Sequence, residues 1–338
     1  MSLYAAIDLH SNNSVLAIID ETDAPLRQRR LPNDLPAILK ELEPFREEIT
    51  GIVVESTYNW YWLVDGLKAH GYRLHLANTA AVPQYAGLKY SGDESDARHL
   101  AHLLRLGILP EGYIYPHEDR PIRDLLRRRF QLVRMGVGLT LSIQSSWARH
   151  TGQCLSANGL RQLTPEQIEQ ALPEVSVRFG VLTHLQVWCA IQDQVRQVEH
   201  WIDASRTRCQ EQHALRSIPG IGLILGLTIA LETGDVHRFA SVGDYASYCR
   251  MVKSERISNG KKKGQGNRKC GNRYLCWAWI EAAHFALRHS PPIKRWYDRK
   301  CGKRHKIIAI KAVAHKLARA GYYLLRDGGT FDVKHAFG

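Results

Sequence analysis

Leu3-Tyr-Ala-Ala-Ile-Asp-Leu9, the polar break His10-Ser-Asn-Asn-Ser14 and Val15-Leu-Ala-Ile-Ile19 stand at the start of the chain. Two short β-prone runs around turn residues read as an antiparallel hairpin, and Pro25 to Leu31 supplies a third strand. Asp34 can cap a helix running to about Glu43. Gly51-Ile-Val-Val-Glu55 is a short apolar run, the pattern of a fully buried strand. Trp60 to His70 reads as a helix stopped by Gly71, and Arg73 to Ala77 as another strand. Ser95 to Leu106 carries Ala97, Leu100, Ala101 and Leu104 at helical spacing and stops at Gly107. Three strands, helix, strand, helix, strand, helix is an order that predicts a mixed sheet covered by helices.

That order is the one of the RNase H-like fold, and it gives four acids particular places. Asp8 falls at the end of the first strand and Glu55 at the end of the central one, while Asp93 and Asp96 stand where the last helix begins. A lone carboxylate beside buried Ile and Val is costly unless it is paired or coordinated. Strand-end acids that face one another therefore point to a divalent cation. Mg²⁺ suits such a site because it takes carboxylate oxygens and keeps waters for substrate phosphates. Two such ions about 4 Å apart could stabilise both the entering and the leaving oxygen of a phosphodiester. The competing reading makes Asp93 and Asp96 helix caps and leaves Asp8 and Glu55 as ordinary strand-end acids.

Charge divides the chain. Arg250 to Arg326 holds 21 Lys or Arg against three acids, a local charge of +18 that exceeds the whole chain's +13. The first 120 residues hold 11 basic against 17 acidic residues. So concentrated a positive balance points to nucleic acid, because cations that neutralise phosphates release condensed counterions. With 338 residues and 44% apolar content the chain can bury about two cores. No run of 18 apolar residues occurs and the N-terminus lacks a basic region followed by an apolar one, so neither a membrane span nor a signal peptide is expected and a reducing cytoplasm is the default. Seven cysteines without a CxxC pair speak against a disulfide framework and a zinc site.

Past residue 120 the pattern is one of long helices. Ile122, Leu125, Leu126, Phe130, Val133 and Val137 trace one helical face. Trp188, Ile191, Val195, Val198, Ile202 and Cys209 follow a heptad seam. That seam serves either packing within the chain or dimerisation. Gly152 to Pro173 is polar and turn-rich, a candidate hinge. Ile218-Pro-Gly-Ile-Gly222 resembles a helix-hairpin-helix turn, whose amides at Gly220 and Gly222 could face a phosphate; a plain turn is the alternative. Lys253 to Asn267, continued by Lys269 to Leu275, reads as a basic loop leading into an amphipathic helix, Tyr274 to Leu287. Its cations Lys253, Arg256, Lys261, Lys262, Lys263, Arg268, Lys269 and Arg273 are the candidate phosphate contacts. Ser258 could attack phosphorus there if a base or metal activated it.

Asp8, Glu55, Asp93 and Asp96, the last two within Gly92-Asp-Glu-Ser-Asp-Ala-Arg98, resemble the DEDD tetrad of a family of bacterial insertion-sequence transposases that includes the Piv DNA invertases. Ser254-Glu-Arg-Ile-Ser-Asn-Gly-Lys261 through Gly271-Asn-Arg-Tyr-Leu275 resembles that family's second signature. The resemblance spans residue 4 to about residue 326. It departs from the commonest motifs at Ser91-Gly92, where a Lys-Thr pair often stands, and at Ile257, where a second Ser is common. It implies a RuvC-like metal-binding domain over residues 1–120, a helical connector over 121–213, a mainly helical C-terminal transposase domain over 214–330 and a tail over 331–338. It further implies Mg²⁺ on the tetrad, a covalent serine–DNA link with Ser258 at the matching position and Ser254 as the alternative nucleophile, a structured bridge RNA that pairs with donor and target DNA, and a homo-oligomer. Three other classes compete on the residues alone. They are a metal-dependent structure-specific nuclease using water, an actin-like sugar kinase whose first strand also ends in Asp, and a non-catalytic DNA-binding module. The kinase lacks a second phosphate loop and leaves the +18 unexplained.

Overall fold

A computed structural model of the chain describes residues 1–82, 92–205, 210–252, 256–264 and 270–338. These fall into two compact units, Met1–His117 with Cys270, and Glu118–Gly264 together with Gly271–Gly338.

The first unit is built on a six-stranded sheet in the order β3-β2-β1-β4-β5-β6. The strands are β1 (Leu3–Leu9), β2 (Asn13–Ile19), β3 (Pro25–Pro32), β4 (Ile49–Glu55), β5 (Leu74–Ala77) and the two-residue β6 (Glu111–Gly112). β1, β2 and β3 are antiparallel neighbours, whereas β4 lies parallel to both β1 and β5. Side chains alternate between the two faces of a strand, and both faces here are apolar. Ile7, Leu9, Leu16, Ile18, Ile52 and Val54 pack against α1 (Leu35–Leu42) and α2 (Tyr61–Ala69) through Ile38, Leu42, Leu63 and Leu67. The other face carries Ala6, Val15, Ala17 and Val53 under α3 (Asp93–Arg105), which returns Ala97, Leu100 and Ala101. Small residues on both sides let α3 lie close over β1 and β2. The mixed sheet expected from the element order is the one observed, with β6 added beyond it.

In the second unit α4 (Arg120–Thr151) and α7 (Val175–Ala204) pack along each other. The predicted seam is spent within the chain: Ile191, Val195 and Ile202 are buried, and Ile202 meets Ile122 and Leu126 of α4. Cys209, at its end, lies outside the described residues. Val137 departs from its predicted face and is 53% exposed. Gly136 takes the inner position, where a Cβ would come within 3.1 Å of Gln192. The supposed hinge contains two short helices, α5 (Ala157–Gln162) and α6 (Pro165–Ala171), capped by Ser156 and Thr164. Leu160, Ile168 and Leu172 tie them to Trp147 and Val181, so the polar stretch is pinned by a few well-spaced apolar residues.

The rest is a helical bundle of α8 (Gln210–Arg216), α9 (Leu223–Thr233), α10 (Val242–Tyr248), α11 (Arg273–His289), α12 (Pro291–Cys301), α13 (Lys306–Asp327) and α14 (Val333–Phe337). Before α11 it is interrupted by the short strands β7 (Arg256–Ser258) and β8 (Lys261–Gly264). Trp279 of α11 is wholly buried at the centre and donates its Nε1–H to Tyr245 Oη at 3.3 Å. Gly321 of α13 faces it. A Cβ there would fall 2.6 Å from Trp279 Cζ2 and closer still to Cη2. Gly321→Ala is therefore expected to destabilise the protein by about 1–3 kcal/mol through overpacking, although alanine is the better helix former. A thermal melt measures it, and an unchanged or raised midpoint would mean that the Trp279 ring can step aside. Among the described residues no helix is long and apolar enough to cross a membrane.

Candidate active site

Strand register assembles the carboxylates. Asp8 pairs with Val15 on β2, and Val15 pairs with Arg30 on β3. Ile7 pairs with Val54 on the parallel strand β4, which sets Glu55 alongside Asp8. Asp8 shares the face of Ala6, and Glu55 that of Val53, so both carboxyls stand on the side that α3 covers. Asp93 is the first residue of α3 and Asp96 follows three residues on. Neither caps the helix. Gly92 occupies the cap position in extended backbone, and Ser95 Oγ accepts its N–H at 2.9 Å. The two acids instead lie where the helix dipole favours negative charge.

The four acids are crowded. Asp8 is only 4% exposed. Burial, followed by a hydrogen bond and repulsion from Asp8 and then Asp96, pushes the Glu55 carboxyl up to about 8. Burial and the charges of Asp8 and Asp93 raise Asp96 as well, and its Oδ1 is buried without a hydrogen-bond partner. Asp93 moves the other way. A hydrogen bond from Arg30 leads in holding it below the usual carboxylate range, helped by the charges of His10 and Arg30. Arg30 Nη2 donates to Asp93 Oδ2 at 2.7 Å, and Arg30 Nη1 donates to Asn13 Oδ1 at 2.7 Å. His10 Nε2 lies 3.3 Å from Asp93 Oδ2 and 3.5 Å from Asp8 Oδ2. One ligand atom each from Asp8, His10 and Asp93 lies within 4.8 Å of the others. Such a set can take up a cation, or it must hold protons.

A pH dependence follows. A folded-state pKa above the ordinary 4.5 for Glu55 means that the folded chain holds a proton which the unfolded chain has released. The associated stability is complete below about 4.5 and lost as pH rises to about 8. The metal-free protein is therefore expected to melt at lower temperature at pH 8 than at pH 5.5. A divalent cation bound by these carboxylates must displace that proton, so its affinity is expected to rise about tenfold per pH unit across this window and level off above it. Calorimetry at pH 6, 7 and 8 measures both, and an affinity independent of pH would mean that Glu55 either does not carry the proton or does not bind the ion.

His10 and Arg30 are the members of the cluster not recognised in the sequence. His10 follows Asp8 by two residues, and a period of two would place it on the same face. Arg30 is announced only by register, since it shares a rung with Asp8 through Val15.

Ser258 belongs to the other unit, in a β-hairpin and not the open loop expected. Asn259 and Gly260 form its turn with φ of 50° and 68°, the two positive values of a type I′ turn, for which Asn-Gly is the strongest short-range signal. Ser258 is exposed and sits directly opposite Lys261. Lys261, Lys263 and Arg273 are exposed as well; Arg273 lies over the Tyr274 ring and donates to its hydroxyl at 2.8 Å. Lys253, Ser254, Arg268 and Lys269 lie outside the described residues, and so do the side chains of Arg256 and Lys262. Gly222 caps α9 from an exposed position. Gly220 is explained by packing: its φ is +90°, and a Cβ would lie 2.6 Å from Phe285 Cβ and 2.8 Å from the Ala286 nitrogen.

Comparison with known proteins agrees with this layout. Residues 5–146 match the DEDD transposase family of the IS110 type, and residues 212–298 match the family described as Transposase IS116/IS110/IS902. The chain is 25% identical to a putative transposase, y4qE, of Sinorhizobium fredii, over 69% of this chain and 57% of that protein. It is 23% identical to the transposase for insertion sequence element IS1328 of Yersinia enterocolitica, over 51% and 53%. A mini-circle putative transposase for IS117 of Streptomyces coelicolor is 24% identical over 100% of this chain and 97% of its own length. The chain thus spans about half the length of the first two relatives and nearly all of the third. With one match covering the carboxylate unit and most of α4 and the other lying on the serine-bearing unit, the chain belongs to the IS110-type DEDD transposase family.

Proposed function

We propose that the protein is the DNA transposase of an insertion sequence, cutting and rejoining DNA through a covalent bond between Ser258 and a DNA end. The observation that carries this reading is the crowding of Asp8 and Glu55 on one sheet face with Asp93 and Asp96 at the start of α3, which covers that face, and with Asp96 Oδ1 buried and unpartnered. An orphaned buried carboxylate oxygen among three further acids suits a hard divalent cation, and Mg²⁺, as two ions, is the proposed occupant held by these four residues. When bound, the ions supply charge stabilisation to the phosphate oxygens. Ser258 Oγ would form the new bond to phosphorus as the bond to a sugar oxygen breaks, and a DNA hydroxyl would later reverse the exchange. The ester keeps the phosphodiester energy for rejoining, which hydrolysis would discard. Lys261 opposite the serine, with Lys263, Arg273 and the cations of residues 253–269, would hold phosphates, and the backbone amides of the turn at Gly220 and Gly222, just before α9, would add neutral donors.

The same reading includes a structured guide RNA, assembly as a homo-oligomer, and action on DNA in the bacterial cytoplasm. The resemblance of the two motifs supports the guide and the oligomer, and the basic C-terminal surface supports nucleic acid in general. Incubation with the element's own ends, followed by a denaturing gel, tests the chemistry: a protein-linked DNA band that needs a divalent cation is expected. A structure-specific nuclease using water is the second reading, favoured by a carboxylate cluster that is complete without Ser258. Free DNA ends with no adduct would establish it in place of the first.

A further inference from the structure

Arg30 is placed with unusual care for an exposed arginine on an edge strand. Its Cα lies on the same rung as Asp8, through Val15, and its two terminal nitrogens are both engaged. Nη1 rests on Asn13 Oδ1 and Nη2 on Asp93 Oδ2, each at 2.7 Å. Asn13 is itself oriented by donating its side-chain amide to Asn12 Oδ1 at 2.7 Å. The guanidinium therefore occupies an oxygen of one of the four proposed metal ligands, and Asp96, on the same helix, keeps an oxygen with no partner. Arg27, three residues earlier on β3, pairs with Glu41 at 2.8 Å through Nε, away from the tetrad.

We infer that Arg30 is the resident counter-cation of the carboxylate site: it holds Asp93 in the metal-free chain and must give up that oxygen when a divalent ion binds. This rests on the metal reading above. A fixed guanidinium on a ligand oxygen makes metal uptake an exchange of one cation for another. It raises the ion concentration at which the site fills, and it keeps the acids from repelling one another before filling. A guanidinium cannot lose its charge near neutral pH and forms directed hydrogen bonds to carboxylate, so only a competing cation frees Asp93.

Mn²⁺ titration of the full chain, followed by the loss of the free-ion resonance, tests the exchange. Giving up one charge-assisted hydrogen bond to a carboxylate oxygen costs about a factor of ten in affinity. Arg30→Gln is expected to bind Mn²⁺ about tenfold more tightly than the unmodified chain, with Arg27→Gln unchanged. In an Asp93→Asn background the gain from Arg30→Gln should disappear, because the oxygen contested by the two cations has gone. Equal or weaker binding by a folded Arg30→Gln protein would overturn the inference, as would a gain that persists without Asp93. Were Arg30→Gln to fail to fold, Arg30→Lys reads the same quantity: it keeps the charge but not the two-pronged hold, and tighter Mn²⁺ binding is again expected. An unmodified chain that takes up no Mn²⁺ would remove the metal reading itself, a result distinct from ordinary uptake without an Arg30 effect.

Discussion

Ser258→Ala is expected to abolish the protein-linked DNA product while changing DNA affinity by no more than about twofold, because the cations that neutralise phosphates all remain. The hairpin accounts for the separation. Ser258 contributes its backbone to pairing with Lys261, and the turn that follows is fixed by the positive φ of Asn259 and Gly260. Neither needs the serine hydroxyl, so the arm keeps its shape and cations and loses one oxygen. Asp8→Asn should remove the same band with Ser258 intact, since one proposed ligand loses its charge. Ser254→Ala should leave the band in place. A Ser258→Ala protein that still forms the adduct moves the nucleophile elsewhere, and loss of the adduct in Ser254→Ala alone would name the replacement. Equal loss of DNA binding and adduct would show that the hairpin had been disturbed.

The first unit was largely legible because its signals are local and periodic. Leu3–Leu9, Gly51–Glu55 and the Ala97, Leu100, Ala101 spacing each state their element, and an acid at the end of a buried run stands out against its neighbours. Arg30 was not legible, since its meaning depends on the register of three strands, which periodicity does not set. The hairpin around Ser258 was signalled by Asn259-Gly260, but the surrounding Lys and Gly gave the segment the composition of a loop. In the helical unit, Val137 and Gly136 show a different failure. Spacing alone selects the larger apolar residue for the inner face, whereas the close approach of α7 selects the residue without a side chain. A buried clamp, in which Arg123, Arg127 and Asn272 hold the Glu232 carboxylate, was wholly hidden. A single acid at the end of an apolar helix carries no pattern, and its partners lie over 100 residues earlier and 40 residues later in the chain.

That clamp carries the largest stability effect expected. Glu232 is 2% exposed and Arg123 6%, and their side chains approach to 3.1 Å. Arg127 Nη2 donates to Glu232 Oε2 at 2.8 Å and Asn272 Nδ2 to the same oxygen at 2.7 Å. Burial pushes the Glu232 carboxyl up, but the Arg127 hydrogen bond and the charges of Arg123 and Arg127 together outweigh it and leave it below its ordinary value. Glu232→Ala takes away the carboxylate that balances two guanidinium groups and is expected to cost about 3–5 kcal/mol. For a unit of this size that lowers the melting midpoint by about 6–20 °C. Because the folded-state pKa is depressed, the contribution is present above the ordinary glutamate range and fades as pH falls through the lower folded value; the gap between the two proteins should therefore narrow in acid. Replacing Glu232, Arg123 and Arg127 together by Leu or Met should cost less than Glu232→Ala alone, since the charges that need balancing leave with their partner. Asn272 extends the consequence to the chemistry. Its Oδ1 accepts the Tyr274 and Leu275 N–H groups at the start of α11, its own N–H donates to Tyr248 O at 2.6 Å, and Arg250 Nε donates to Gly271 O at 2.9 Å. The two ends of the basic segment that carries Ser258 are thus closed against each other at the clamp. Below its melting range, the apolar triple variant should consequently form adduct more slowly than the unmodified protein, whereas adduct formation at the full rate would show that closure by Tyr248 and Arg250 suffices without Glu232.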